Sequence, residues 1–300
     1  QLLANPNGQP RPVAQALRDP DLQIRFAAVA TIVHWDPQQP YPGCSYLPEA
    51  LGYFARAAGT RRALVGHPRM EQAQTLAGVL LELGFEVDTS QIGHDVMRLA
   101  AGNPDYEFVH VSDALDAPPV KEFIQQLRRD PNTTRLPVGV MAREQNLENL
   151  QRFCQTIPQT AVFPRPFDAE GVRLQVHRVL ELAGDRIIDG ARRVQQAELA
   201  LDYLARLAEN RTAYAFYDVF AQQPVVTQAL SHLGLSEKAA RVLGLLGSPD
   251  AQRTLVTMAS QNARGVAERK AAAGAFDVAV RRRGLLLSRG EIVLQYDRYN

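Results

Sequence analysis

Only two cysteines, Cys44 and Cys154, occur in 300 residues, in different segments and without metal-ligand spacing. This excludes a disulfide framework and a cysteine-based metal centre, and two free thiols are expected. Net charge is also lacking: 33 Lys and Arg face 32 Asp and Glu, for a formal +1. No global field pulls such a chain towards nucleic acid or a membrane surface. No apolar run approaches the ~18 residues of a membrane span. Neither G-x-x-x-x-G-K-[ST] nor G-x-G-x-x-G occurs, and no H-E-x-x-H spacing supports a metal site. Ser45 and Ser112 lack a G-x-S-x-G elbow. No catalytic residue, cofactor or metal is therefore expected, and the chain does not read as an enzyme. What is present is enough apolar content, 46%, to bury ordinary cores. The length suits two or three domains. A soluble, cytoplasmic protein is expected. The start at Gln1 rather than Met reads as a trimmed or processed end, which leaves an exported origin or further upstream repeats open.

Between residues 60 and 184 short apolar runs alternate with helical patterns. Arg62–Gly66 leads to His67-Pro68, then a helical stretch from Gln72 to Leu83 and a second strand at Phe85–Val87. Pro104–Val111, Pro137–Met141 and Ala161–Phe163 supply three more strands before Pro164-Arg165-Pro166-Phe167-Asp168. Alternation of this kind predicts βα units on a parallel sheet. The predicted organisation is a helical segment over 1–59, an α/β domain over 60–184 and a helical domain over 185–300.

The element order and loop lengths of 60–184 resemble the response-regulator receiver family, which implies a flavodoxin-like, five-stranded, doubly wound parallel sheet. Receivers place a magnesium-holding acidic pair after the first strand and a phosphorylated aspartate at the end of the third. A Thr or Ser ends the fourth strand, and a Lys precedes the proline of the fifth-strand turn. The resemblance puts His67 and Pro68, His110, Ala142 and Arg165 at these places, with Val162 where an aromatic often switches rotamer. Magnesium takes hard oxygen ligands in near-octahedral geometry, which these residues do not supply. The resemblance thus implies a pseudo-receiver, with a degenerate phosphorylation pocket of His67, Pro68, His110, Ala142 and Arg165.

The flanks are helical. Asp19 or Asp21 can cap a helix through Arg25-Phe26-Ala27-Ala28, and His34 reads as the cap of its far end. A Pro-rich loop follows, Asp36 to Pro48. One long amphipathic helix is predicted over Asp189 to Asn210, with Leu199, Tyr203, Leu204 and Leu207 on one face. Glu237-Lys238-Ala239-Ala240 recurs as Glu268-Arg269-Lys270-Ala271-Ala272 after Gly247-Ser248-Pro249-Asp250. That period suits stacked helix pairs, and the motifs resemble HEAT repeats of the bilin-lyase-like subtype. An Ala-rich bundle without true repeats is the alternative.

His67 and His110 would sit at the carboxyl ends of neighbouring strands, where doubly wound folds bind ligands, with Asp113 and Arg165 nearby. Two imidazoles and a carboxylate can take a transition metal, or with Arg165 a small anion; hydrogen bonds to loops are the simpler expectation. His94, His177 and His232 read as solvated surface, Arg281-Arg282-Arg283 as the charged end of a helix, and Glu291–Asn300 as another helix or a docking tail. The function expected is that of a non-enzymatic interaction or scaffold protein with a protein partner, no nucleic acid and no membrane, met through Lys238, Arg241 and Arg269. The alternative is a receiver-like sensor of a metal or small anion at His67, His110 and Arg165. A bilin-lyase-like enzyme ranks last, because no residue marks a chromophore-attaching site.

Overall fold

Helix starts and stops in the first segment are set by two aspartates. The first elements are α1 (Pro12–Ala16), α2 (Leu22–Trp35) and α3 (Tyr46–Phe54). Asp21 caps α2: its Oδ1 accepts the Gln23 and Ile24 N–H groups at 2.9 and 3.4 Å, satisfying donors the first turn leaves open. His34 does not end this helix. Asp36 does, with a left-handed backbone at φ 48°, a conformation costly for a residue with a Cβ. Its carboxylate accepts from the Tyr214 hydroxyl at 2.6 Å, the Tyr203 hydroxyl at 3.4 Å and Arg206. The structure, a computed structural model, describes residues 3, 8–184 and 187–299.

Next come β1 (Arg62–Gly66), α4 (Met70–Glu82), β2 (Glu86–Ser90), α5 (Gly93–Gly102), β3 (Tyr106–Ser112) and α6 (Val120–Arg129). β4 (Val138–Ala142), α7 (Glu144–Cys154), β5 (Thr160–Pro164) and α8 (Ala169–Ala183) complete the alternation. All four strand pairings are parallel and the order is β2-β1-β3-β4-β5, the doubly wound order of flavodoxin-like folds. Every residue of β3 and β4 is buried, as expected of strands covered on both faces. Leu64, Val109 and Val111 meet Phe123, Ile124 and Leu127 on one face. Ala63, Val65 and Phe108 meet Leu80, Val176 and Val179 on the other. Alternate side chains of one strand thus serve two cores.

Arg128 fastens two loops of this unit. Its guanidinium donates to the carbonyls of Thr133, Leu136, Pro158 and Gln159 and to the Thr160 hydroxyl, at 2.8 to 3.1 Å. Burial pushes its pKa down to about 10, and these acceptors rather than a carboxylate carry its charge.

The remaining helices are α9 (Gly190–Glu209), α10 (Gln223–Ala229), α11 (Ser236–Leu246), α12 (Pro249–Ala259), α13 (Val266–Arg283) and α14 (Arg289–Tyr299). The chain divides into two units, Gln1–Ala58 with Val194–Asn300, and Gly59–Arg193. The two helical flanks thus form one unit, whose core joins Val29, Ile32, Leu47 and Leu51 to Leu201, Leu204 and Leu207 of α9 and to Leu243 and Leu255. Between α11 and α12, Gly247 takes φ +64° and the Ser248 hydroxyl accepts the Ala251 N–H at 3.0 Å. That pairs a left-handed C-cap with an N-cap and a proline at the first turn. The closing segment is helical as α14; the side chains of Tyr296 and Tyr299, and Asn300, lie outside the described residues. Among the described residues no helix is long and apolar enough to cross a membrane.

α11 crosses α13 at Gly244, where an added Cβ would lie 2.6 Å from the Ala275 carbonyl oxygen and 3.0 Å from its Cα. Helix propensity favours alanine over glycine by about 1 kcal/mol, but overpacking against backbone costs about 1–3 kcal/mol. Gly244→Ala is therefore expected to lower the thermal unfolding midpoint. An unchanged or raised midpoint would refute the close crossing.

Candidate functional site

The strand order reverses between β1 and β3, and doubly wound folds place ligands outside the carboxyl ends of the strands at such a point. Four strands end there. Gly66 ends β1, and His67 and Pro68 follow; Ser112 ends β3 and Asp113 follows. Ala142 ends β4, and Arg165 follows β5, its N–H donating to the Ala142 carbonyl at 3.0 Å.

His110 is not at this edge. β3 runs two residues further, pairing His110 with Val65 and Gly139 in the middle of the sheet. Strand alternation turns its ring towards Phe108 and Phe163, at centroid distances of 6.5 and 6.4 Å, and it is 1% exposed. Burial lowers its pKa to about 4, and the Gln175 amide works weakly the other way. The set His67, His110 and Arg165 is therefore not assembled. The residue just beyond the end of β3 is Asp113, so the strand-end position that the resemblance gave to His110 is not His110's in the fold.

Asp113 is the centre of an ionic cluster. Its Oδ2 accepts from the Arg143 N–H at 3.2 Å, Arg143 Nε at 3.0 Å and Asn146 Nδ2 at 2.7 Å. Its Oδ1 accepts from Arg165 at 3.1 Å, and the same guanidinium nitrogen lies 3.5 Å from the Ser112 hydroxyl. The carboxylate has no exposed surface. Burial alone would raise its pKa, but the bonds from Asn146, Arg143 and Arg165 outweigh that and hold it below the ordinary carboxylate range. His67 stands beside the cluster, its Nδ1 within 3.1 and 3.2 Å of the Arg69 N–H and carbonyl. Burial, with the charges of Arg165 and Arg69, lowers its pKa and favours the neutral ring. A cleft of about 480 Å³ adjoins Asp113, lined by Asp116, Lys121, Asn146 and Asn149. Among the described residues no group of three or more His, Cys, Asp or Glu is placed to hold a metal ion.

The cations expected to meet a partner are engaged within the helical unit. Lys238 Nζ is 2.6 Å from Asp202, Arg241 is 3.6 Å from Glu209, and Arg269 Nε donates to the Ala259 carbonyl at 3.0 Å. Of the three only Arg241 is exposed; Lys238 and Arg269 are half-buried. Arg143 and Asn146, which complete the Asp113 cluster, lie in an ordinary charged helix start and carry no recognisable sequence signal. Asp113 itself was visible as the acidic residue closing an apolar run.

No family model and no curated protein sequence matches the chain. Among solved structures, the chemotaxis response regulator CheY4 of Vibrio cholerae aligns with TM-score 0.37 and 18% identity, over 40% of this chain and 99% of that one. The same regulator crystallised at pH 4.0 gives the same values.

Proposed function

We propose that the chain is a non-enzymatic interaction protein, in which a receiver-like α/β unit is locked by its own charges and HEAT-like helices present the recognition surface. The observation that carries this reading is Asp113, whose two oxygens are already taken by Arg143, Asn146 and Arg165. A carboxylate held by two guanidinium groups has few lone pairs left for a divalent cation, and those charges repel one. The adjoining positions hold His67 and Pro68, which add no hard oxygen ligand. Arg165 stands where receivers carry a lysine, so positive charge at that corner is kept while the metal site is not. Ala-rich helices such as α11 and α13 stack in the way that lets repeat arrays form curved binding faces. On α11 Arg241 is exposed, 3.6 Å from Glu209, and is the charge this reading offers to a partner.

The reading predicts that incubation with acetyl phosphate and magnesium leaves the intact mass of the protein unchanged. An acid-labile phosphoryl adduct mapped to Asp113 would overturn it and promote a signalling receiver instead.

A further inference from the structure

Where α13 ends and α14 begins, the helical unit presents aliphatic side chains among positive charges. The chain there reads Arg281-Arg282-Arg283-Gly284-Leu285-Leu286-Leu287-Ser288-Arg289-Gly290, four cations and no acid. The loop is held in place by one side chain. Gln252, fully buried in the first turn of α12, donates through Nε2 to the Gly284 carbonyl at 2.8 Å, and its Oε1 accepts the Leu286 N–H at 2.9 Å. The backbone held in this way leaves Leu285 53% and Leu286 41% exposed. Val293 and Leu294 of α14 are exposed as well, and Val293 stands one turn after Arg289 on the same helix face. Arg282 donates to the Ala208 and Glu209 carbonyls at 3.0 and 3.1 Å, and Arg283 lies over the Phe220 ring at 5.9 Å. Neither kind of partner cancels a charge. Among the described residues only Arg281 of these four lies within ion-pair distance of a carboxylate, Asp277 at 2.9 Å. Glu291, the first acid after the loop, is taken by Ser288 and Arg253.

We infer that this loop and the start of α14 form a peripheral docking surface for an anionic lipid bilayer, the leucines entering the headgroup layer and the arginines meeting its anionic groups. Aliphatic side chains beside Lys or Arg mark elements that lie on a membrane without crossing it. Each basic residue near an anionic leaflet adds to the attraction. A nucleic-acid surface would use aromatic rings for stacking, and protein hot spots favour Trp and Tyr over Leu. Residues 284–294 contain no aromatic. The expectation of no membrane rests on the balanced net charge and on the lack of a spanning run, and neither bears on a local patch.

Flotation of the whole chain tests this with two kinds of vesicle, phosphatidylcholine alone and phosphatidylcholine mixed with phosphatidylserine. Binding to the mixed vesicles is expected to be at least about ten-fold tighter and to weaken with salt. Leu285→Ser with Leu286→Ser should lower that binding by about ten-fold or more, because two half-exposed side chains lose their transfer out of water. Arg289→Gln should lower it by about five-fold and leave binding to the neutral vesicles as it was. Equal binding to the two vesicles, or none to either, overturns the inference on the wild-type protein alone, so a variant that fails to fold does not shield it. A leucine double variant that floats as the wild type does overturns it too, since charge alone would then hold the protein. Retention on heparin without vesicle binding also overturns it and assigns the patch to a polyanion instead.

Discussion

Arg193→Met is expected to destabilise the α/β unit by about 3–5 kcal/mol, the usual cost of removing one partner from a buried ion pair. Arg193 is 4% exposed; its Nε is 3.0 Å from Asp105 Oδ1, and its Nη2 lies 2.9 Å from the Thr60 carbonyl and 3.4 Å from Glu107 Oε1. Both carboxylates are buried, at the start of β3. Glu107 would keep Arg61, which lies 2.9 Å away and is half-exposed. Adding Asp105→Asn to Arg193→Met should recover part of the stability, because the two substitutions remove both charges of the 3.0 Å buried contact together. Urea unfolding followed by circular dichroism measures both steps. A loss below about 1 kcal/mol for Arg193→Met would mean that the pair contributes no more than an exposed one.

Acid should weaken the same unit through His110. In the unfolded chain its imidazole titrates near 6.5, and in the sheet burial depresses that to about 4. Between those values the unfolded state binds the extra proton, so stability rises with pH there and falls as pH drops. The contribution is complete above about pH 6.5 and is lost by about pH 4, a total of about 3 kcal/mol at 1.36 kcal/mol per pH unit. The ring is flanked by Phe108, Phe163 and Gly139, where an added Cβ would sit 3.1 Å from its Cδ2. The ring is 1% exposed, so its charged form is cut off from bulk solvent. His110→Leu should flatten the stability profile between pH 4 and 6.5 while the wild type slopes. Equal slopes in the two proteins would show that His110 is not the titrating group.

The alternation of short apolar runs with helical patterns determined the α/β part by itself. Strands buried on both faces need sequence rich in apolar residues: Val138–Ala142 is apolar throughout, and Tyr106–Ser112 carries Phe108, Val109 and Val111 with the polar Glu107, His110 and Ser112 between and after them. Helix punctuation was equally readable where the signal is local: Asp21 before α2, and Gly247-Ser248-Pro249 between α11 and α12, act on amides within a few residues. Where a partner comes from far along the chain, the sequence was silent. Asp36, not His34, ends α2 because Tyr203, Arg206 and Tyr214 reach it from over 160 positions away. His110 and Asp113 differ in role because β3 extends to Ser112, a length set by pairing with β1 and β4 rather than by its own residues. Local chemistry fixes caps, turns and alternation, since those depend on neighbours in sequence. Tertiary structure alone decided which charge meets which: Asp113 with Arg143 and Arg165, and Asp105 with Arg193. Coulomb energy and desolvation depend on distance and burial in space, which spacing along a chain does not encode.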